Sequence, residues 1–142
     1  MLNFEKTEQV KGTDIGFKIK FSVKSETDPK LTSDNPLVTP EIRNIITPNL
    51  LNAVIRIHFY TPQEIDKDTP TALLTLISNG SPSVKLHIID NTSSVQEVIG
   101  VIRGSVSNLW SKGKIFYLIE VLPVGAESYT RCSNSKDYFI LT

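Results

Sequence analysis

Alternation with a period of two runs through most of this 142-residue chain and predicts an all-β protein. Three stretches carry that prediction. Over 17–24, Phe17, Ile19, Phe21 and Val23 point one way, while Lys18, Lys20, Ser22 and Lys24 point the other. Over 53–60, Ala53, Ile55, Ile57 and Phe59 alternate with Val54, Arg56, His58 and Tyr60. The run 115–122 is apolar on both faces apart from Glu120, the pattern of a central strand covered on both sides.

Taken in order, the lysine face of 17–24 predicts an edge strand, where like charges stay solvated and deter edge-to-edge pairing. The same lysines form a candidate phosphate-binding stripe. The connection 25–52 carries Pro29, Pro36, Pro40 and Pro48, each lacking a backbone donor, which excludes a central strand. Thr39-Pro40 joins an N-cap residue to proline at a first helical position and predicts a short helix over 40–46, with Ile42, Ile45 and Ile46 plugging one end of a barrel. After the strand over 53–60, Thr61-Pro62-Gln63-Glu64 has the form of a capping box for a single turn.

Strands over 72–78 and 84–89 follow, joined by Asn79-Gly80-Ser81-Pro82. Asn-Gly accepts positive φ, so a hairpin is expected there. Val95, Val98, Ile99 and Ile102 recur at helical spacing behind Ser93 and Ser94, which predicts a short helix ended by Gly100. A strand over 101–107, a loop bearing Trp110, a strand over 114–122 and a closing strand over 138–141 complete the chain. The closing strand is also a candidate for strand addition by a partner.

Composition narrows the function classes. Fifteen Lys and Arg balance fifteen Asp and Glu. A dedicated duplex binder needs an excess of cations to displace phosphate counterions, so neutrality argues against extensive phosphate contact. A single cysteine, Cys132, excludes an internal disulfide. The first ten residues carry Glu5, Lys6 and Glu8 where a signal peptide would be apolar, and no apolar run approaches membrane-spanning length, so the expectation is an intracellular protein without a membrane segment. Asn79-Gly-Ser and Asn91-Thr-Ser match the glycosylation triplet and read as turns. The chain is expected to form a single β domain over 1–142, with an N-terminal strand region (1–24), the proline-rich connection (25–52) and a main barrel (53–142).

The segments AVIRIHFY, TALLTLISNGSPSVKLHII, SVQEVIG, VIRGSV and KIFYLIEVL follow one another as strand, loop, two strands, short helix, strand, loop, strand. This order resembles the OB-fold, a five-stranded Greek-key barrel with a helix between its third and fourth strands, over roughly half the chain. The resemblance implies a small antiparallel barrel with extra terminal strands and one or two short helices. An antiparallel β-sandwich accommodates the extra strands equally well. It also implies a ligand edge across 72–78 and 84–89, between the loops 61–71 and 108–113. Trp110 would then stack a base, worth about 1–3 kcal/mol, with Lys112, Lys114, Lys85 and Arg103 on the nucleic-acid backbone. An ordinary hairpin would instead fold the indole back onto the core, the reading the residues favour slightly. Glu64, Asp66 and Asp68 would face that cleft and repel phosphate. Arg56 and Tyr60 complete the candidate nucleic-acid or partner-binding residues.

Sharper chemistry finds little support. His58 and His87 would meet to ligate a metal only if their strands pair, and no third ligand has suitable spacing. Cys132 beside Arg131 lacks an orienting motif for a nucleophile. Glu64-x-Asp66-x-Asp68 lacks the glycine and distal glutamate of a calcium loop. No catalytic signature or cofactor motif is present. The expectation is a non-enzymatic OB-like binding or scaffold subunit of a multi-protein complex, near single-stranded nucleic acid that it binds weakly. The second reading is a β-sandwich structural or assembly protein, self-associating or holding a fixed protein partner.

Overall fold

The computed structural model describes residues 2–3, 8–23, 46–47, 50–132 and 137–142. Among them the strands are β1 (Leu2–Asn3), β2 (Glu8–Gln9), β3 (Ile15–Val23), β4 (Ile46–Thr47), β5 (Val54–Tyr60), β6 (Leu74–Ile77), β7 (His87–Asp90), β8 (Val95–Ile102), β9 (Gly113–Leu122), β10 (Thr130–Arg131) and β11 (Tyr138–Leu141). A 3-10 turn at Pro82–Val84 and a one-turn helix, α1, at Gly104–Ser107 are the helical pieces among the described residues. The protein is all-β.

The strands form two sheets, and neither closes into a barrel. The first has the order β1-β3-β8-β7, with β4 parallel to β3; the second has the order β2-β11-β9-β5-β6, with β10 beside β9. Their inner faces share one core. Ile15, Phe17, Ile19, Phe21, Val98 and Ile102 of the first sheet meet Ile55, Ile57, Phe59, Leu76, Ile115, Ile119 and Phe139 of the second. The rings of Phe17 and Phe59 cross edge-to-face at 5.9 Å between the sheets, an arrangement that adds to their area burial. The architecture is thus a sandwich of two sheets, the arrangement that spares each one an exposed apolar face.

Where one face was meant for the core, alternation gave the strand and its orientation. In β3, Phe17, Ile19 and Phe21 point inward; in β5, Ile55, Ile57 and Phe59 do. As expected, β9 is central, flanked by β5 on one side and by β11 and β10 on the other.

Four expectations give way. β3 is not an edge strand: β8 pairs along it on one side, and β1 and β4 lie along the other. The helix expected over 90–100 is strand β8. Val95, Ile99 and Val101 point outward while Gln96, Val98 and Ile102 point inward, so apolar residues on both faces mimic helical spacing, and β-branching settles the strand. Ser93 helps close a turn rather than cap a helix, because the Asp90 carboxylate accepts the amides of Thr92 and Ser93 at 3.0 and 3.1 Å. The strand over 101–107 stops at Ile102. There the Gly104 amide donates to Asp14 Oδ1 at 2.7 Å and α1 begins. A Cβ on Gly104 would lie 2.6 Å from the Gly12 carbonyl oxygen, so this approach requires glycine.

The hairpin over 72–89 is also absent. β6 lies in the second sheet and β7 in the first. Neither Asn79 nor Gly80 adopts positive φ, and Pro82 opens a 3-10 turn that carries the chain from one sheet to the other. Of the helix expected over 40–46, residues 40–45 lie outside the described residues, and Ile46 belongs to β4. Most of the proline-rich connection likewise lies outside them. The single turn at Thr61–Glu64 forms, with the Glu64 and Ile65 amides donating to the Thr61 carbonyl. β11 is already flanked by β9 and β2. Among the described residues no helix is long and apolar enough to cross a membrane.

Candidate binding surface

The tryptophan that suggested a ligand grip is a core residue. Trp110 is 5% exposed and its ring packs on Phe59, with centroids 6.0 Å apart. The local cause is α1. Its last turn, closed by Asn108, Leu109 and Trp110 amides donating to Gly104, Val106 and Ser107 carbonyls, turns Trp110 inward and leaves Leu109 exposed instead. Ser107, fully buried, ties this turn to the 10–14 segment: its hydroxyl accepts from the Gly12 amide and donates to the Thr13 carbonyl. Lys112 and Lys114 remain exposed behind it, with the Lys114 ammonium 4.7 Å from the Tyr138 ring centroid.

Arg56 and Tyr60 lie on the outer face of the second sheet, where both have local partners. Tyr60, Phe116 and Leu118 form a small second core covered by Ile65 and Ala72 of the 61–73 loop. That acidic loop therefore caps this sheet and does not oppose Trp110. Glu64 pairs with Lys67 and accepts the Thr71 amide, which holds its carboxyl below the usual range. Beside the small core runs a polar ladder. Glu120 Oε1 accepts from Arg56 Nε at 2.9 Å and from His58 Nε2 at 2.8 Å, and the Arg56 guanidinium stacks 3.5 Å from the Tyr129 ring centroid.

His58 Nδ1 lies 2.7 Å from Thr75 Oγ1. Burial, only partly offset by Glu120, lowers the His58 pKa. In the resulting neutral ring, Nε2–H donates to Glu120 and Nδ1 accepts from the Thr75 hydroxyl. Burial pushes the Glu120 carboxyl up, but hydrogen bonds from Arg56 and His58 outweigh it and the net shift is downward. His58 faces Thr75, and Arg56 faces both Glu120 and Ile77, as direct cross-strand neighbours, so the ladder is what sheet register builds.

The remaining sharp candidates separate. His58 and His87 belong to different sheets. Cys132 is buried, and burial pushes its thiol up to about 12 despite the neighbouring Arg131. Burial of this kind keeps a thiol protonated, the opposite of the lowered pKa that activates a cysteine nucleophile.

Lys85 and Arg103 behave differently, because the crossover brings them together on the outer face of the first sheet. They line a depression of about 90 Å³ with Pro82, His87, Ile99 and Val101. On the opposite side of Ile99 opens a groove of about 580 Å³ lined by Gln9, Asp14, Gly16, Lys18 and Lys20. Pairing explains the layout: Lys18, Ile99 and His87 form one row across β3, β8 and β7, and Gly16 lies opposite Val101 in the next. Lys18 reaches Glu97 at 3.8 Å. Val95, Ile99 and Val101 are 45%, 36% and 43% exposed on this face of β8, with Glu97 between Val95 and Ile99. Ile99 and Val101 therefore form an apolar pair flanked by Lys18 on one side and by Lys85 and Arg103 on the other.

The lysine stripe is readable in the sequence; its apolar neighbour is masked by the helical spacing of Val95, Val98, Ile99 and Ile102. No protein family, curated protein or solved structure matches the chain.

Proposed function

We propose that this chain is a non-enzymatic β-sandwich binding and assembly subunit that engages a protein partner through the outer face of its first sheet. The observation that supports this reading is the difference between the two outer faces. That of the second sheet is roofed by its own loop and filled by a polar ladder. On the first sheet, Ile99 and Val101 stay open to solvent between Lys18 on one side and Lys85 and Arg103 on the other, a combination that marks interaction surfaces.

The sandwich architecture favours this over the single-stranded nucleic-acid role, whose stacking residue, Trp110, lies in the core. The test is a double substitution, Ile99→Glu with Val101→Glu, in cells producing the chain. Wild-type protein is expected to migrate in a native complex larger than the monomer, and the variant to run as a folded monomer. Identical migration of the two would overturn the proposal. Migration of the wild type as a monomer at every concentration tested would do so as well.

A further inference from the structure

Of the two hollows flanking Ile99, the smaller has the more definite chemistry. Lys85, His87 and Arg103 converge on it, and no acidic residue is among its described lining. Its exposed apolar wall is Ile99 and Val101. The acidic groups on this side are Asp14 and Glu97. Asp14 lies one position before the Ile15–Ile102 pair and is bound through Oδ1 to the amide of Gly104 at 2.7 Å. Glu97 pairs with Asp90 of β7 and is engaged with Lys18 of β3. About 90 Å³ admits one small oxyanion and has no room for a stacked nucleobase. Among the described lining residues the only ring is the His87 imidazole, with no Phe, Tyr or Trp to form a stacking platform.

Resting on the binding role proposed above, we infer that this depression seats an acidic side chain of the protein partner, whose neighbouring apolar residue lies on Ile99 and Val101. Guanidinium and ammonium groups hold a carboxylate by charge-assisted hydrogen bonds, Arg103 in a forked geometry and Lys85 as a point charge. The aliphatic wall favours a carboxylate carried on a peptide with apolar neighbours over a free ion. Past Ile99, the groove lined by Lys18 and Lys20, with Asp14 at its wall, gives an extended segment somewhere to run.

The experiment titrates the isotope-labelled full chain, followed by amide chemical shifts. The probes are an acetylated peptide of alternating glutamate and valine, a short oligo(dT), and inorganic phosphate. The expected result is saturable shifts from the peptide at 83–87 and 99–103. Lys85→Gln with Arg103→Gln should weaken binding about tenfold or more while leaving the rest of the spectrum unchanged, and raising salt from about 0.05 to 0.5 M should weaken it similarly. Both positions are exposed, so the variant should fold.

Shifts confined elsewhere, no saturable binding, tighter binding of oligo(dT) than of peptide, or equal saturation by phosphate alone would each overturn the assignment. If the peptide fails here while the Ile99→Glu, Val101→Glu variant still loses its native complex, the binding face stands and the acidic partner falls.

Discussion

Replacing Trp110 by alanine separates a core tryptophan from a ligand grip. The side chain is 5% exposed and rests on Phe59, which itself meets Phe17 across the sandwich and Phe139 within the second sheet. Truncation removes the transfer free energy of an indole and leaves a cavity among rigid rings that cannot all move in. Such changes cost about 3–5 kcal/mol. For a chain of 142 residues the entropy of unfolding makes 1 kcal/mol worth about 3–4 °C, so Tm should fall by roughly 10–17 °C.

Thermal unfolding followed by circular dichroism measures the shift. Because Trp110 is the only tryptophan, wild-type fluorescence reports on the same site and should be blue-shifted and poorly quenched by iodide. A loss of less than about 3 °C, equivalent to about 1 kcal/mol, or emission resembling free indole, would refute the core placement.

Two further predictions follow from titration. The folded His58 has a pKa below its ordinary 6.5, so below pH 6.5 the unfolded chain binds a proton that the folded chain refuses. Stability should therefore be flat just above pH 6.5 and decline beneath it, and His58→Gln should remove that first part of the decline in urea titrations. Glu120 adds a second loss in the same direction, its contribution being complete above its ordinary 4.5 and fading as pH drops through its lower folded value. Cys132, with its thiol raised to about 12, should react with a thiol reagent at pH 8 only when the chain unfolds, so native and urea-unfolded labelling rates should differ by orders of magnitude; comparable rates would contradict its burial.

The inward half of the fold was legible because burial on one face writes itself into the sequence with a period of two, as Phe17-x-Ile19-x-Phe21 and Ile55-x-Ile57-x-Phe59 do. β8 was not legible for the opposite reason. Its outward Val95, Ile99 and Val101 are as apolar as its inward Val98 and Ile102, so no face is distinguished. Asn79-Gly80 has hairpin chemistry, yet Pro82 two residues on starts the turn that changes sheets, and a local signal yielded to a tertiary crossing.

That crossing also creates the candidate site. Lys85 and Arg103, 18 positions apart, meet only because β7 leaves the strand before it and pairs with β8. Trp110 was recognisable as a loop residue, but its direction is set by the single turn of α1, which nothing in its own neighbours announces.

The claim that the outer face of the first sheet is the working surface is tested most directly by lysine acetylation footprinting, comparing the purified chain with the chain in its native complex. Lys18, Lys20 and Lys85 should lose reactivity in the complex, while Lys112 and Lys114, beside the buried Trp110, keep theirs. Protection of Lys112 and Lys114 with the three face lysines unchanged would contradict the account.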